Sequence, residues 1–115
     1  MFAFQVKHVL ADYVWQTMWE IENKGIWGHW GGVVHSAKHT ALSSLVLCWF
    51  VPSTGTFMTL LALEFLLHYH IDWLKNQVLQ RNNWTSDGPG YWWAMGFDQG
   101  LHQMTYLLMA GLALA

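Results

Sequence analysis

Cysteine is almost absent from this chain. Cys48 is the only one, which excludes an intrachain disulfide and any cysteine-based zinc site. Charge is scarce as well. Asp, Glu, Lys and Arg make up 10% of the residues, against about 25% in an average soluble domain. Net charge is −2 with His neutral, so nucleic acid held by charge alone is excluded as a partner. The two prolines, Pro52 and Pro89, fall in turn-like stretches and leave the segments between them free to be helical. There is no basic start followed by a small-residue cleavage site, so the apolar stretches are read as structural and not as a signal peptide.

What is abundant is apolar surface. The chain is 54% hydrophobic and carries nine Trp in 115 residues. From Thr40 to Leu67 the only charged residue is Glu64, across 28 residues broken by Pro52-Ser53-Thr54-Gly55. Four segments read as helices by apolar periodicity and by the punctuation between them: Phe2 to Asn23, Gly32 to Val51, Thr56 to Arg81 and Tyr91 to Leu114. Asn82 to Gly90 (NNWTSDGPG) is a polar loop rich in turn formers. Its Asn83-Trp84-Thr85 matches a glycosylation acceptor by chance alone.

Helices of about 20 to 26 residues span about 30 to 39 Å, close to the roughly 30 Å hydrocarbon core of a bilayer. Short connections favour antiparallel neighbours. The expectation is one all-α domain over residues 1–115, a four-helix up-down-up-down transmembrane bundle in the lipid bilayer. A soluble bundle would need a charged outer stripe on each helix, which VLCWFV and YLLMAGLALA lack, or a homo-oligomer to cover those faces. Trp15, Trp19, Trp27, Trp30, Trp84, Trp92 and Trp93 gather toward one end, as at a membrane interface. Lys24, Lys75 and Arg81 lie toward that end too. The positive-inside rule then makes it cytoplasmic, with both termini outward.

A polar spacing runs through this apolar background. His8-x-x-x-Asp12, His35-x-x-x-His39, His68-x-x-x-Asp72 and Asp98-x-x-x-His102 each place two groups on one helix face. With Glu64, one turn before His68, the chain holds five such pairs, where random placement gives about 1.6. At 1.5 Å per residue most of them meet in one layer, roughly 10 to 20 Å below the Trp-rich end.

Imidazole and carboxylate together suit zinc, iron or manganese, and helix bundles build metal sites from inward-facing pairs. The candidate ligands are His8, Asp12, His35, His39, His68, Asp72, Asp98 and His102. Their number exceeds one tetrahedral zinc and points to two or three ions, bridged by Asp12, Asp72 or Asp98. Gln16, Lys24, Lys75 and Gln99 follow the pairs closely and are the candidate catalytic residues. Gln16 would orient a ligand or a substrate oxygen. The two lysines would meet a phosphate or would snorkel at an interface. His70 points away from the His68 face, His29 sits in a Trp/Gly loop, and Lys38 follows its helix face only loosely. These three stay outside the set, and Glu64 is left open between outer ligand and supporting partner.

HVLADYVWQTMWEIENK at 8 to 24, HSAKH at 35 to 39, HYHIDWLK at 68 to 75 and FDQGLH at 97 to 102 occur in an order that resembles small bacterial and phage membrane proteins called domain of unknown function 3307. The resemblance covers nearly the whole chain. It implies an integral protein of the bacterial inner membrane and adds weight to the twelve candidate residues, but implies no reaction. The terse loops are compatible with a phage version. At the level of the site alone, the chain is similar to the zinc phospholipase C and P1 nuclease group and to inner-membrane metal-dependent hydrolases. It lacks an N-terminal Trp ligand, because Met1 stands there.

The functional expectation is a membrane-embedded metal-dependent hydrolase acting on a phosphoester such as a lipid or isoprenoid phosphate. The alternatives are a membrane di-metal redox enzyme and a non-enzymatic membrane scaffold whose polar core specifies helix pairing.

Overall fold

Thr17 divides the N-terminal stretch in two. A computed structural model describes residues 1–115 and is all-helical, with no strand. Its elements are α1 (Phe2–Val9), a π-helical turn (Leu10–Val14), α2 (Met18–Asn23), α3 (Trp30–Leu47), α4 (Thr54–Asn82) and α5 (Pro89–Leu114). The expected single helix from Phe2 to Asn23 is therefore corrected to two helices and a π turn. The cause is local. Thr17 adopts an extended backbone, its side chain accepts from the Glu20 amide, and the Glu20 carboxylate accepts from the Thr17 amide. This reciprocal capping box starts a new helix at Met18. Just before it, Trp15 N donates to Leu10 O at 2.9 Å, five residues back, which is the signature of a π turn.

The other three helices match the expected segments with small shifts at their ends. His29 caps α3 by accepting from Gly31 N, and Ser53 caps α4 by accepting from Thr56 N. Asn83 ends α4 in the left-handed region at φ 52°, a conformation Asn tolerates. Pro89 sits in the first turn of α5, where its missing amide is harmless. Gly90 follows because Trp84 lies over its backbone. A Cβ there would stand 2.4 Å from the indole.

Consecutive courses run antiparallel, α3 packing on α4 and α4 on α5. At one end Phe4, Leu47, Val51, Leu60, Tyr106 and Met109 form an apolar cluster, with Phe4 stacked on Tyr106 at 5.4 Å. Toward the other end the interior turns polar. Fourteen buried residues are polar or charged and only eight are apolar, so the centre of this fold is not a hydrophobic core. The apolar surplus is outside. Twenty-eight large apolar side chains are exposed, among them Trp15, Trp27, Trp30, Trp92 and Trp93.

No helix is long and apolar enough to cross a membrane. This overturns the transmembrane bundle, the membrane domain and the integral placement in the bacterial inner membrane, together with the cytoplasmic assignment of the Trp-rich end. The reason is the distribution of polar groups along each helix. On α4, Glu64, His68, Asp72 and Lys75 interrupt the apolar run. On α5 the uninterrupted apolar stretch is Tyr106 to Leu114, about 14 Å of helix against roughly 30 Å of hydrocarbon.

Candidate metal centre

Four helical courses deliver their polar pairs to one buried layer. From the π turn, Asp12 faces α3. Its Oδ1 lies 2.9 Å from His39 Nε2 and 3.2 Å from His35 Nε2, and its Oδ2 lies 3.0 Å from His8 Nε2. From α4, Asp72 faces α3 and α5. Its Oδ2 lies 3.2 Å from His35 Nε2 and 3.4 Å from His68 Nε2, and its Oδ1 lies 3.4 Å from His102 Nε2. Asp98 on α5 stands 3.6 Å from His102 Nε2. All eight sequence-derived ligand candidates thus share one layer, with His35 Nε2 between Asp12 and Asp72.

Two sets have donor atoms lying within 4.8 Å of one another: Asp12, His35, His39 and His68, and then His68, Asp72 and His102. His68 belongs to both, so the two sets adjoin. Its ring packs between His39 and His102, with centroids 3.8 and 4.2 Å away. His8 and Asp98 flank the sets. His8 is fully partnered, with Nδ1 2.7 Å from the Tyr106 hydroxyl and Nε2 2.8 Å from Gln99 Oε1.

Whether this donor set fits a metal can be judged from its unsatisfied atoms. The Nε2 atoms of His35, His68 and His102, Asp72 Oδ2 and Asp98 Oδ1 are buried without a hydrogen-bond partner. Buried polar atoms are normally satisfied, and orphans gathered in one layer fit a shared cation. The spacing fits as well. Ligands about 2.0 to 2.2 Å from a tetrahedral ion stand roughly 3.3 to 3.6 Å apart, and the His-to-Asp separations at Asp72 and Asp98 run from 3.2 to 3.6 Å.

Electrostatics separate the histidines. Burial works against a charged His102, but the Asp72 and Asp98 carboxylates facing it outweigh that and push its pKa up to about 9. Burial dominates at His39 despite Asp12 and lowers it to about 3. At His68 burial likewise prevails and holds the pKa well below the usual range. Asp72 resists burial through Lys24 and the surrounding histidines and stays well below the usual carboxylate range.

The four candidate catalytic residues lie on the rim. Gln16 sits in the break after the π turn. Its Nε2 donates to Asp12 O at 2.8 Å and its Oε1 accepts from Lys24 Nζ at 2.8 Å. Lys24 is also 3.4 Å from Asp72 Oδ2. Lys75 lies 3.8 Å from Asp98 Oδ2 and 4.0 Å from Asp72 Oδ1. Gln99 bridges His8 and Asp98, its Nε2 donating to Asp98 Oδ2 at 3.2 Å.

Several supporting residues were not among the candidates. Glu20, fully buried, points Oε1 at His35 Nδ1 from 3.6 Å, while its Oε2 accepts from Lys38 at 2.7 Å and from the Thr17 hydroxyl at 2.6 Å. The signal was Thr17-x-x-Glu20, a capping-box pattern. Lys7 is buried and paired with Glu64 on α4, and its Nζ lies 3.3 Å from His39 Nδ1. That pairing directs Glu64 at Lys7. No spacing rule joins residues on separate helices, so this pair left no signal. Tyr106 looked apolar in sequence and serves His8 through its hydroxyl.

The sequence model of a family described as protein of unknown function (DUF3307) matches residues 1–114. No curated protein and no solved structure matches the chain.

Proposed function

The chain belongs to the DUF3307 family, to which no reaction is assigned, and from its buried donor set we propose that it is a metal-dependent hydrolase acting on a phosphoester. The observation that carries this reading is the pair of adjoining His/Asp sets that share His68, with their orphaned buried nitrogens and oxygens. Asp12, His35, His39, His68, Asp72 and His102 would hold two divalent ions, zinc first and iron or manganese next, with Asp98 and His8 as outer members. Such ions supply Lewis acidity to a phosphoryl oxygen and to the attacking water.

The chain's own residues would do the rest. Lys24 and Lys75 carry positive charge to the rim beside Asp72, where a phosphate would approach. Gln16 holds Lys24 in place, and Gln99 holds His8 against Asp98. Glu20 faces His35 Nδ1, which leaves Nε2 to the centre, as a carboxylate behind a metal-binding imidazole does.

Elemental mass spectrometry of the purified full chain tests this. Two or more equivalents of zinc are expected, falling below one in His68→Ala. Hydrolysis of an activated phosphodiester should disappear with a chelator and return with zinc. Wild-type protein holding less than one equivalent of any divalent metal overturns the reading.

One contact favours a second reading, a metal-free polar core that specifies helix pairing. Lys7 lies 3.3 Å from His39 Nδ1. If it donates there, His39 Nε2 carries the proton and donates to Asp12 Oδ1 at 2.9 Å. His39→Ala would then lower stability in a chain that carries no metal. Iron in place of zinc, with an optical or EPR signature, would instead point to di-metal redox chemistry.

A further inference from the structure

Beside the metal centre, α4 and α5 leave a groove of about 250 Å³ between them. Ten residues line it, and eight are apolar, including Val78, Trp84, Trp93 and Phe97. The two polar ones are Lys75 and Asp98, which also border the candidate metal centre. The groove therefore runs from the Trp-rich loop to the rim where a phosphate would sit. At that inner end the Lys75 side chain is only 9% exposed. Its carboxylate neighbours stand 3.8 and 4.0 Å away, beyond hydrogen-bonding distance. The ammonium thus faces two carboxylates with donor capacity to spare.

The rest of the apolar exterior offers nothing comparable. The larger groove near the termini, between α1, α3 and α5, is lined by ten apolar residues and no charged side chain. It lies at the opposite end from Lys24 and Lys75.

Resting on the hydrolase reading above, we propose that the α4–α5 groove binds the single apolar chain of an amphiphilic phosphoester, with the phosphate at Lys75 and the metal centre beyond it. The occupant follows from the two ends of the groove. Its apolar walls select a hydrocarbon, and at its polar end Lys75, the one cation, stands beside the Asp98 carboxylate and would take an anionic head shared with the metal centre behind it. Its volume is below the roughly 300 to 1,000 Å³ of pockets for drug-sized ligands, which suits one narrow chain and not a ring system.

Calorimetric titration of the zinc-loaded full chain with ethyl-, hexyl- and decylphosphonate tests this without turnover. Affinity should rise by about fourfold per buried methylene until the groove is filled. Ala94→Trp and Val78→Trp narrow the groove from opposite walls. Each variant that keeps its helical circular dichroism should bind ethylphosphonate like the wild type and bind decylphosphonate at least tenfold more weakly. Lys75→Met should weaken all three phosphonates. Ethylphosphonate that binds with no gain from a longer chain overturns the groove and leaves the hydrolase reading standing. So does a chain-length gain that survives groove filling, because the chain then binds elsewhere on the apolar exterior. If no phosphonate binds the zinc-loaded protein, the phosphoester reading falls and the groove falls with it.

Discussion

Glu20 and the Lys7–Glu64 pair show how much of this site's energetics lies behind the donor atoms. Glu20 is held on one oxygen by Lys38 and Thr17, and these bonds lower its pKa to about 2 in spite of burial. It stays a carboxylate facing His35. Partners of this kind are worth about 10- to 100-fold in metal affinity, so Glu20→Gln should weaken zinc binding by that factor in competition with a chromophoric chelator. Unchanged affinity would mean that Glu20 serves only the capping box. Lys7 and Glu64 are 4% and 0% exposed, and burial lowers the Lys7 pKa although Glu64 opposes it. Removing one partner strands a buried charge, which costs about 3 to 5 kcal/mol. Lys7→Met should therefore destabilise strongly in urea unfolding, and Lys7→Met with Glu64→Leu should recover much of the loss. A double variant no more stable than either single one would show that the pair also holds its surroundings in place. At this scale the ligand candidates were legible because four-residue spacing is visible in any one helix. The supporting pairs were not, because they join helices whose contacts no local pattern encodes.

The break in the first course belongs to the scale of elements. From Leu10 to Thr17 there is no Pro or Gly, and His8, Asp12 and Gln16 continue the four-residue stripe, so periodicity alone reads one helix to Asn23. Thr17-x-x-Glu20 supplied the opposing signal. It prevails because the box satisfies amides at the start of α2, and the π turn absorbs the mismatch while aiming Asp12 at His35 and His39. π turns are rare and concentrate at functional sites, which fits a turn carrying a central carboxylate. The same box fixes Glu20, so Thr17→Ala should act twice. Loss of the cap should cost about 1 kcal/mol in urea unfolding, and zinc affinity should fall as the Glu20 carboxylate loosens. A stability loss with unaltered zinc affinity would separate the cap from the site. The remaining helices were legible almost to their ends because Pro52-Ser53-Thr54-Gly55, the Pro89-Gly90 pair and the NNWTSDG stretch are strong local punctuation.

Across the whole molecule, polarity is inverted relative to a water-soluble bundle, and this is why hydropathy misled. A chain with 54% hydrophobic residues and nearly uncharged segments resembles a set of membrane spans. Yet each helix spends its inward face on His, Asp, Glu and Lys, and these spaced polar residues keep any helix from being apolar enough to cross a membrane. Composition does not reveal which side of a helix its apolar residues occupy. They lie outside, leaving 28 large apolar side chains exposed, whereas contiguous exposed patches beyond a few hundred Å² are rare on soluble monomers. Leu107, Leu108, Leu112 and Leu114 on α5, with Trp49 and Phe50 after α3, are all at least 47% exposed. At micromolar concentration and without detergent the chain should therefore self-associate, and sedimentation velocity should resolve species heavier than the 13.3 kDa chain. Replacing Leu108 and Leu112 by Glu should shift that distribution toward the monomer while leaving zinc content intact, because neither residue reaches the polar layer. A monodisperse wild-type monomer under those conditions would show that the exposed apolar groups are too dispersed to drive association.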